Sequence, residues 1–241
     1  MKTLLSILIW VFTALMTLGV FLGVLLLKLW PFDRQKRLSH ALGYWWAEAI
    51  TRVNPFWRMK VAGLKHFSPK RSYVIVANHQ SMSDIALVYL THRQFKWVAK
   101  ESLFKVPVFG WCMSGMKYIK LMRGEFSSIK DVYQEAAYWL KKDMSVLFFP
   151  EGTRSTTGEL SAFKNGAFKL AIKEQKPVLP LAISGTRNIL PKGSWVFKNK
   201  VTCELKVLPA IETKDYSEQD FDLLKDKVRG EICASLKENE K

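Results

Sequence analysis

The stretch "VIVANHQSMSDIAL" (residues 74–87) passes from an apolar, strand-like run to a helix-like run through a short polar loop. That loop contains His79 and, five positions later, Asp84, in a chain with only four histidines. Strand, loop and helix in this order form the unit of layered α/β domains, in which ligands bind where strands end. The stretch therefore predicts a fold class and, at His79, a place for a functional site.

The rest of the chain repeats this alternation of apolar runs and helical segments. Strands are predicted at 73–77, 95–99, 118–121, 146–149, 178–183 and 201–208, and helices around 129–140, 168–172 and 221–236. We therefore expect an α/β fold with a mostly parallel central sheet flanked by helices, preceded by an N-terminal membrane-anchoring helix or two-helix motif. Segment 54–60, with its "NPFW", is interpreted as a linker, and the expected division is an anchor (1–57) and an α/β domain (58–241).

Charge and aromatic content favour an anionic membrane as a partner. Lys and Arg total 37 against 21 Asp and Glu, a net charge of +16 that indicates nucleic acid, acidic lipid or a phosphorylated substrate. Nine Trp and fifteen Phe favour the membrane, because aromatic rings concentrate at lipid interfaces, so no nucleic-acid partner is expected. The three cysteines lack metal-ligand spacing, and neither a metal nor a cofactor is expected.

The first thirty residues predict a membrane anchor. The uncharged run Thr3–Leu27 would form a helix of about 37 Å, enough to cross a hydrocarbon core of about 30 Å. A cleaved signal peptide is the less favoured alternative, because its apolar stretch is usually about 7 to 15 residues long. Basic residues follow the run at Lys28, Arg34, Lys36 and Arg37, which places the body of the protein on the cytoplasmic side of an inner membrane.

A second stretch, residues 38–60, is aromatic and amphipathic and can lie in the lipid interface. Two arrangements follow: a spanning helix with an interfacial one, or a helical hairpin that enters only one leaflet. The sequence leaves both open.

His79 and Asp84 together have the chemistry of a general base. A neutral imidazole, with an unperturbed pKa of about 6.5, can take a proton from an attacking hydroxyl near neutral pH. It does so better when a carboxylate holds its other ring nitrogen, and a helix beginning near Ser83 would turn Asp84 back towards His79. The alternative for this motif alone is a capped helix start beside a surface histidine.

The segment "FPEGTRS" (residues 149–155) has the composition of an anion-binding turn. Pro150 and Gly152 shape a tight turn with exposed backbone N–H groups, while Glu151 and Arg154 add a carboxylate and a guanidinium. A guanidinium forks onto phosphate oxygens in a way that lysine does not. The alternative is a hairpin-like turn with a local Glu–Arg ion pair, and for Arg123, after "YIKLM", a plain surface charge.

Four blocks in this order, behind a membrane anchor, resemble the glycerolipid acyltransferase family over residues 74–190. The family's N-H-x4-D block corresponds to Asn78, His79 and Asp84, and its F-P-E-G-T-R block to residues 149–154. The two further blocks correspond to Pro107, Gly110, Trp111 and Arg123, and to Val178, Pro180 and Gly185. The α/β domain would then be the acyltransferase domain.

The resemblance implies transfer of a fatty acyl group from acyl-CoA or acyl carrier protein, as co-substrate, to the free hydroxyl of a lysophospholipid. The favoured acceptor is the sn-2 hydroxyl of 1-acyl-glycerol-3-phosphate, which gives phosphatidic acid. His79 would be the general base and Asp84 its orienting partner. The residues expected to bind substrate, at its glycerol phosphate, are Arg123, Glu151, Gly152, Thr153 and Arg154. The apolar "VPVFGW" segment (106–111) is expected to lie near a groove for the acyl chain.

Other functions stay open at this point. The same residues can serve another lysophospholipid acceptor or a transacylase. A hydrolase with Ser81 as nucleophile is disfavoured, because a thioester is already activated and needs no covalent serine. A non-catalytic, basic lipid-binding protein would need the positive charge but would have no use for a His–Asp pair.

Overall fold

A computed structural model describes residues 2–54, 56–122, 126–155, 157–190, 193–198 and 200–238. The helices are α1 (Lys2–Lys28), α2 (Arg37–Arg52), α3 (Ser83–Tyr89), α4 (Glu101–Phe104), α5 (Phe109–Gly115), α6 (Phe126–Lys141), α7 (Gly166–Lys173) and α8 (Phe221–Glu238). The strands are β1 (Trp57–Ala62), β2 (Val74–Ala77), β3 (Phe95–Lys100), β4 (Ile119–Leu121), β5 (Ser145–Phe148), β6 (Val178–Ser184) and β7 (Val201–Val207). Helices and strands alternate from β2 to β6, as the apolar pattern predicts.

The strands form one seven-stranded sheet in the order β1–β7–β6–β2–β5–β3–β4. Strand β2 lies in the middle, and its Val74 pairs in parallel with Val178 of β6 and Val146 of β5. Among the described strands only β6 and β7 pair in antiparallel fashion. The expected mostly parallel sheet is confirmed, and its parallel centre brings the loops after β2, β3 and β5 to one edge.

Helices cover both faces of this sheet. Alternate residues of β2 enter different cores: Ile75 and Ala77 face one, and Val74 and Val76 face the other. The first core also contains side chains of α1, α2 and α3, and the second contains side chains of α6, α7 and α8. The N-terminal helices therefore serve as one of the covering layers of the sheet.

Helix α1 is apolar along its length yet mostly exposed. Its span Thr3–Lys28 has a mean hydropathy of 2.4, and 11% of its most apolar window is buried. By length and composition it can cross a membrane. The body contacts it near its N-terminal end, since the Ser6 hydroxyl accepts from Phe197 N (2.9 Å) and the Trp10 indole donates to Trp195 O (2.8 Å).

Helix α2 packs between α1 and α3. The side facing the protein consists of small and polar residues, namely Ser39, His40, Gly43, Ala47 and Thr51. Gly43 is required there, because a Cβ would lie 2.4 Å from the ring of Tyr89. The predicted apolar face points partly outward, and Trp45 is 77% exposed. An exposed indole at this place fits the expectation of an interfacial helix.

A buried lysine ties these helices to the sheet. Lys96 of β3 is fully buried, and its Nζ donates to Gln35 O and Met116 O, both at 2.8 Å. The ring of Trp139 lies 4.4 Å from the same ammonium. Burial lowers the pKa of Lys96 to about 7. Because Gln35 lies in the connection between α1 and α2, this contact fixes the position of the two-helix motif.

The linker expected at residues 54–60 is wrong, because β1 begins at Trp57 and pairs with β7 from Trp57↔Val201 onward. Its sequence "WRMKVA" alternates apolar and basic residues, the period expected of an edge strand with one covered face. The expected end of the preceding helix does occur, at Arg52. The division of the chain at residue 57 stays a prediction.

Candidate active site

The loop after β2 is held to the sheet by Asn78. Its side-chain amide donates to Ile183 O (2.8 Å), and its Oδ1 accepts from Ile183 N (2.7 Å). Asn78 is buried and therefore continues the β2–β6 pairing by one side chain beyond the last strand residue. The position of the next residue, His79, is consequently set by the sheet.

His79 and Asp84 form a hydrogen-bonded pair. His79 Nδ1 lies 2.6 Å from Asp84 Oδ2, and that same oxygen accepts from Gln80 N (2.7 Å) and Ser81 N (2.9 Å). Asp84 is fully buried, whereas the imidazole is 17% exposed. An oxygen that already accepts two N–H groups favours the tautomer with the proton on Nδ1, which leaves Nε2 as the basic nitrogen.

The orientation of the His79 ring is fixed by an aromatic stack. The ring lies on Phe149, with ring centroids 4.1 Å apart and planes 16° apart, and Phe149 in turn stacks on Trp97. Phe149 is the first residue of the "FPEGTRS" segment, so the two motifs meet at this ring. Fixed on one side by Asp84 and on one face by Phe149, the imidazole has little rotational freedom.

The two motif loops are also joined through the backbone. Glu151 Oε1 accepts from His79 N (2.7 Å), and Ser155 N donates to His79 O (2.8 Å). Glu151 Oε2 accepts from Ser161 N (2.9 Å), so both carboxylate oxygens bind main-chain amides. Glu151 is buried, and the geometry gives it the role of a brace between loops; its expected contact with substrate stays a prediction.

Gly152 occupies a position that no other residue fits well. Its φ is +73°, and an added Cβ would lie 3.0 Å from Lys164 Cε and 3.1 Å from Lys164 Nζ. The turn is closed by a hydrogen bond from Gly152 N to Phe149 O (3.0 Å). Thr153 is exposed and Arg154 is half-buried. Arg123 lies outside the described residues, and its expected role stays a prediction.

A cavity of about 490 Å³ opens from this site; His79, Pro150 and Gly152 line it. It continues between apolar side chains to Met113 and Met116. Its volume is within the range of about 300–1,000 Å³ that is typical of ligand sites. An apolar cavity that begins at an imidazole fits a long hydrocarbon group with one reactive end; this cavity is called the catalytic cavity below.

Three lysines, Lys100, Lys164 and Lys169, also line the catalytic cavity, and the sequence reasoning did not single them out. Lys100 is the last residue of β3, and strand ends were the signal that could have identified it. Lys164 follows the "FPEGTRS" segment by nine residues and reaches Gly152 only through folding, since Lys164 N donates to Pro150 O (3.0 Å). The cavity therefore has positive charge beside an apolar interior.

Two polar groups near the pair have no part in its chemistry. The Ser81 hydroxyl is buried and donates to Leu190 O (3.1 Å), which directs it away from a nucleophilic role. Burial and the nearby Asp84 carboxylate raise the pKa of the Cys203 thiol to about 12, so it stays protonated. The imidazole of His79 is therefore the candidate reactive group of the site.

The comparison with known proteins agrees with this geometry. A family model described as Acyltransferase matches residues 58–184, more than half of the chain. The chain belongs to the acyltransferase family. Its fold is similar to that of a crystal structure of the 1-acyl-sn-glycerophosphate (LPA) acyltransferase PlsC from Thermotoga maritima, with a TM-score of 0.85 and 27% identity, over 100% of this chain and 98% of that one.

Curated relatives of this acyltransferase-family chain carry related names. The 1-acyl-sn-glycerol-3-phosphate acyltransferase BAT2, chloroplastic, from Brassica napus is 36% identical over 85% of the chain. The corresponding chloroplastic enzyme LPAT1 from Arabidopsis thaliana is 37% identical over 73% of it. The chain spans 58% and 51% of the lengths of these two relatives.

Proposed function

We propose that this protein is a membrane-bound 1-acylglycerol-3-phosphate acyltransferase. It transfers a fatty acyl group from the thioester of acyl-CoA or acyl carrier protein to the sn-2 hydroxyl of 1-acylglycerol 3-phosphate, giving phosphatidic acid. The observation that carries the proposal is the His79–Asp84 pair at the opening of an apolar cavity. The names of the relatives support the choice of acceptor.

In the proposed reaction His79 Nε2 removes the proton of the acceptor hydroxyl as its oxygen attacks the thioester carbon. A carbon–oxygen bond forms, the carbon–sulfur bond breaks, and the imidazolium returns the proton to the departing thiolate. Asp84 orients the ring and stabilises its positive charge. Positioned general-base catalysis of this kind accelerates a reaction by about 10²- to 10⁴-fold.

The acceptor's phosphate binds beside the "FPEGTRS" turn. Arg154 supplies a guanidinium, and Gly152 and Thr153 supply backbone and hydroxyl groups at the same turn, with Arg123 as a further expected ligand. The ammonium of Lys164, which lies over Gly152, adds positive charge at this place. A phosphate held here keeps the sn-2 hydroxyl within reach of His79.

The membrane association follows from the acceptor as much as from the protein. Each buried CH₂ contributes about 0.8 kcal/mol to membrane retention, so a lysolipid with a long chain stays in the bilayer. The exposed apolar surface of α1 and the indole of Trp45 bring the site to that bilayer.

The contacts of α1 with the body favour a helical hairpin within one leaflet over a helix that separates from the body and spans the bilayer. These contacts are made by Ser6 and Trp10, and by Val24 with Gly115. The basic residues that follow α1 support a cytoplasmic position for the domain.

The test is an acyl-transfer assay on the purified full-length protein in vesicles. Acyl-CoA and acyl carrier protein donors are combined with a panel of lysophospholipids, and the diacyl product is identified by mass spectrometry. Phosphatidic acid formed preferentially from 1-acylglycerol 3-phosphate, and lost in His79→Ala with vesicle binding intact, is the expected result. Preference for another lysolipid would indicate remodelling. Vesicle binding without transfer to any acceptor would leave the non-catalytic lipid-binding function.

A further inference from the structure

A second cavity, of about 460 Å³, lies beside the catalytic one and is called the lateral cavity below. It is lined by residues of α1, α2, β1, α3, the α4–α5 connection and Phe197; Ile9, Trp10, Ala14, Ile50 and Met59 are among them. None of the described residues that line it has an ionisable side chain. Its chemistry therefore suits an occupant that is a plain hydrocarbon.

The two cavities are separated by one layer of side chains. Thr17, Trp46, Met82, Ile85, Leu103 and Phe109 line both of them. Met82 and Ser83, in the segment between His79 and Asp84, also reach the lateral cavity. The lateral cavity thus also reaches the segment 79–84, called the catalytic loop below, and none of its described lining residues is a lysine.

We infer that the lateral cavity holds the acyl chain that the acceptor already carries, while the catalytic cavity takes the chain being transferred. This inference rests on the proposed function, in which a donor and an acceptor each bring one long chain. The thioester carbon and the hydroxyl oxygen must meet at His79 Nε2, so the two chains have to diverge from nearly one point. Two apolar cavities that lie side by side behind the catalytic loop provide that geometry.

The surroundings of each cavity decide which chain it takes. The lateral cavity is lined by Ile9, Trp10, Thr13 and Ala14 of α1, the helix expected in lipid, so a chain embedded in the bilayer reaches it without crossing water. The donor's chain arrives on a soluble, acidic carrier and enters past His79, on the side where Lys100, Lys164 and Lys169 lie.

The lateral cavity should select chains by fit more than by affinity. A chain that moves from lipid into an apolar cavity exchanges one apolar environment for another, so burial itself contributes little. A side chain that fills the cavity, in contrast, forces the acceptor's chain into overlap. Overpacking of this size lowers kcat/KM about tenfold or more.

The matched variants lie on α1. Ala14→Phe fills the lateral cavity from an exposed helical position, and Gly19→Phe adds the same ring at an exposed position with no atom within 4 Å of its Cβ. Val20→Phe intrudes on the catalytic cavity instead. For each variant, kcat/KM is measured against acceptor chain length at constant donor, and against donor chain length at constant acceptor.

Ala14→Phe should lose about tenfold or more with long-chain acceptors, keep its activity with short-chain acceptors, and leave the donor profile unchanged. Val20→Phe should change only the donor profile, and Gly19→Phe neither. The inference is overturned if Ala14→Phe behaves like Gly19→Phe, or if it changes the donor profile instead.

A measurement without turnover keeps this outcome separate from that of the proposed function. A lysophosphatidate with a photoactivatable diazirine at its chain end is cross-linked to the wild-type protein in vesicles. Label at Ile9, Trp10 or Met59 supports the inference, and label at Met113 or Met116 overturns it. Absence of acyl transfer by the wild type would refute the proposed function alone, since the position of the label still reports where a single-chain lipid binds.

Discussion

Asp84→Asn separates the charge of the carboxylate from its hydrogen bonds. Gln80 N and Ser81 N both donate to Asp84 Oδ2, so the asparagine oxygen should take the same place and still accept from His79 Nδ1. The tautomer of the imidazole is then preserved. What disappears is the negative charge that faces the imidazolium formed during proton transfer.

The size of this loss can be worked from the geometry. Unit charges about 4 Å apart interact by about 4 kcal/mol at an effective dielectric constant of about 20, which corresponds to roughly 10³ in rate. Asp84 is fully buried next to its partner, so solvent screens the pair little. We expect kcat to fall about 10³-fold with the acceptor KM nearly unchanged. The free energy of unfolding should fall by about 1–3 kcal/mol, because two charge-assisted bonds to backbone N–H become neutral ones.

Asp33→Asn is the matched control. Asp33 is also buried and accepts from Leu38 N, Ser39 N and the Ser39 hydroxyl at the start of α2, outside both cavities. It should lose a similar stability, measured by denaturant unfolding, without the loss of kcat. The reasoning is refuted if Asp84→Asn loses less than about tenfold in kcat, or if Asp33→Asn loses as much.

Three further outcomes follow from the same geometry. Arg154→Ala should raise the KM for 1-acylglycerol 3-phosphate about tenfold or more with kcat largely kept; an unchanged KM in steady-state assays would remove Arg154 from the phosphate site. Gly152→Ala should lower the free energy of unfolding by about 1 kcal/mol, because the φ of this residue is +73° and the added Cβ would press on Lys164. The displaced turn should also raise the acceptor KM. Unfolding curves identical to those of the wild type would contradict the expected backbone strain. The pKa of Lys96 is lowered to about 7 in the folded protein, so between about pH 7 and 10.5 this side chain binds fewer protons in the folded state than in the unfolded state. The free energy of unfolding of the wild type should therefore rise relative to that of Lys96→Met as the pH rises through that window. A difference between the two proteins that does not change with pH in denaturant unfolding would rule this out.

Much of the site was predictable because its decisive contact is local. Asp84 lies in the first turn of α3, five residues after His79, so a strand, a turn and a helix are enough to bring imidazole and carboxylate together. The fold class was predictable for a similar reason, since the alternation of apolar runs is a property of neighbouring residues. Strand β1 was missed because a six-residue edge strand has one weak alternation and no buried run.

The role of Glu151 was not predictable in this way. Its carboxylate joins His79 N to Ser161 N, atoms that are 72 and 10 positions away along the chain. The contact exists only because β2 and β5 are neighbours in the sheet, which the order of strands in the sequence does not indicate. The same pairing places Phe149 under the imidazole.

The sequence by itself therefore determined the α/β class, the apolar N-terminal helix and the residues of the His79–Asp84 pair, because each depends on spacing along one short segment. Only the tertiary structure decided what lies beside that pair: the brace at Glu151, the lysines of the cavity and the lateral cavity under α1. Those features arise where segments far apart in the chain pack together, and the free energy of such packing depends on strand order and on the fit of whole surfaces. No local pattern of residues encodes either one.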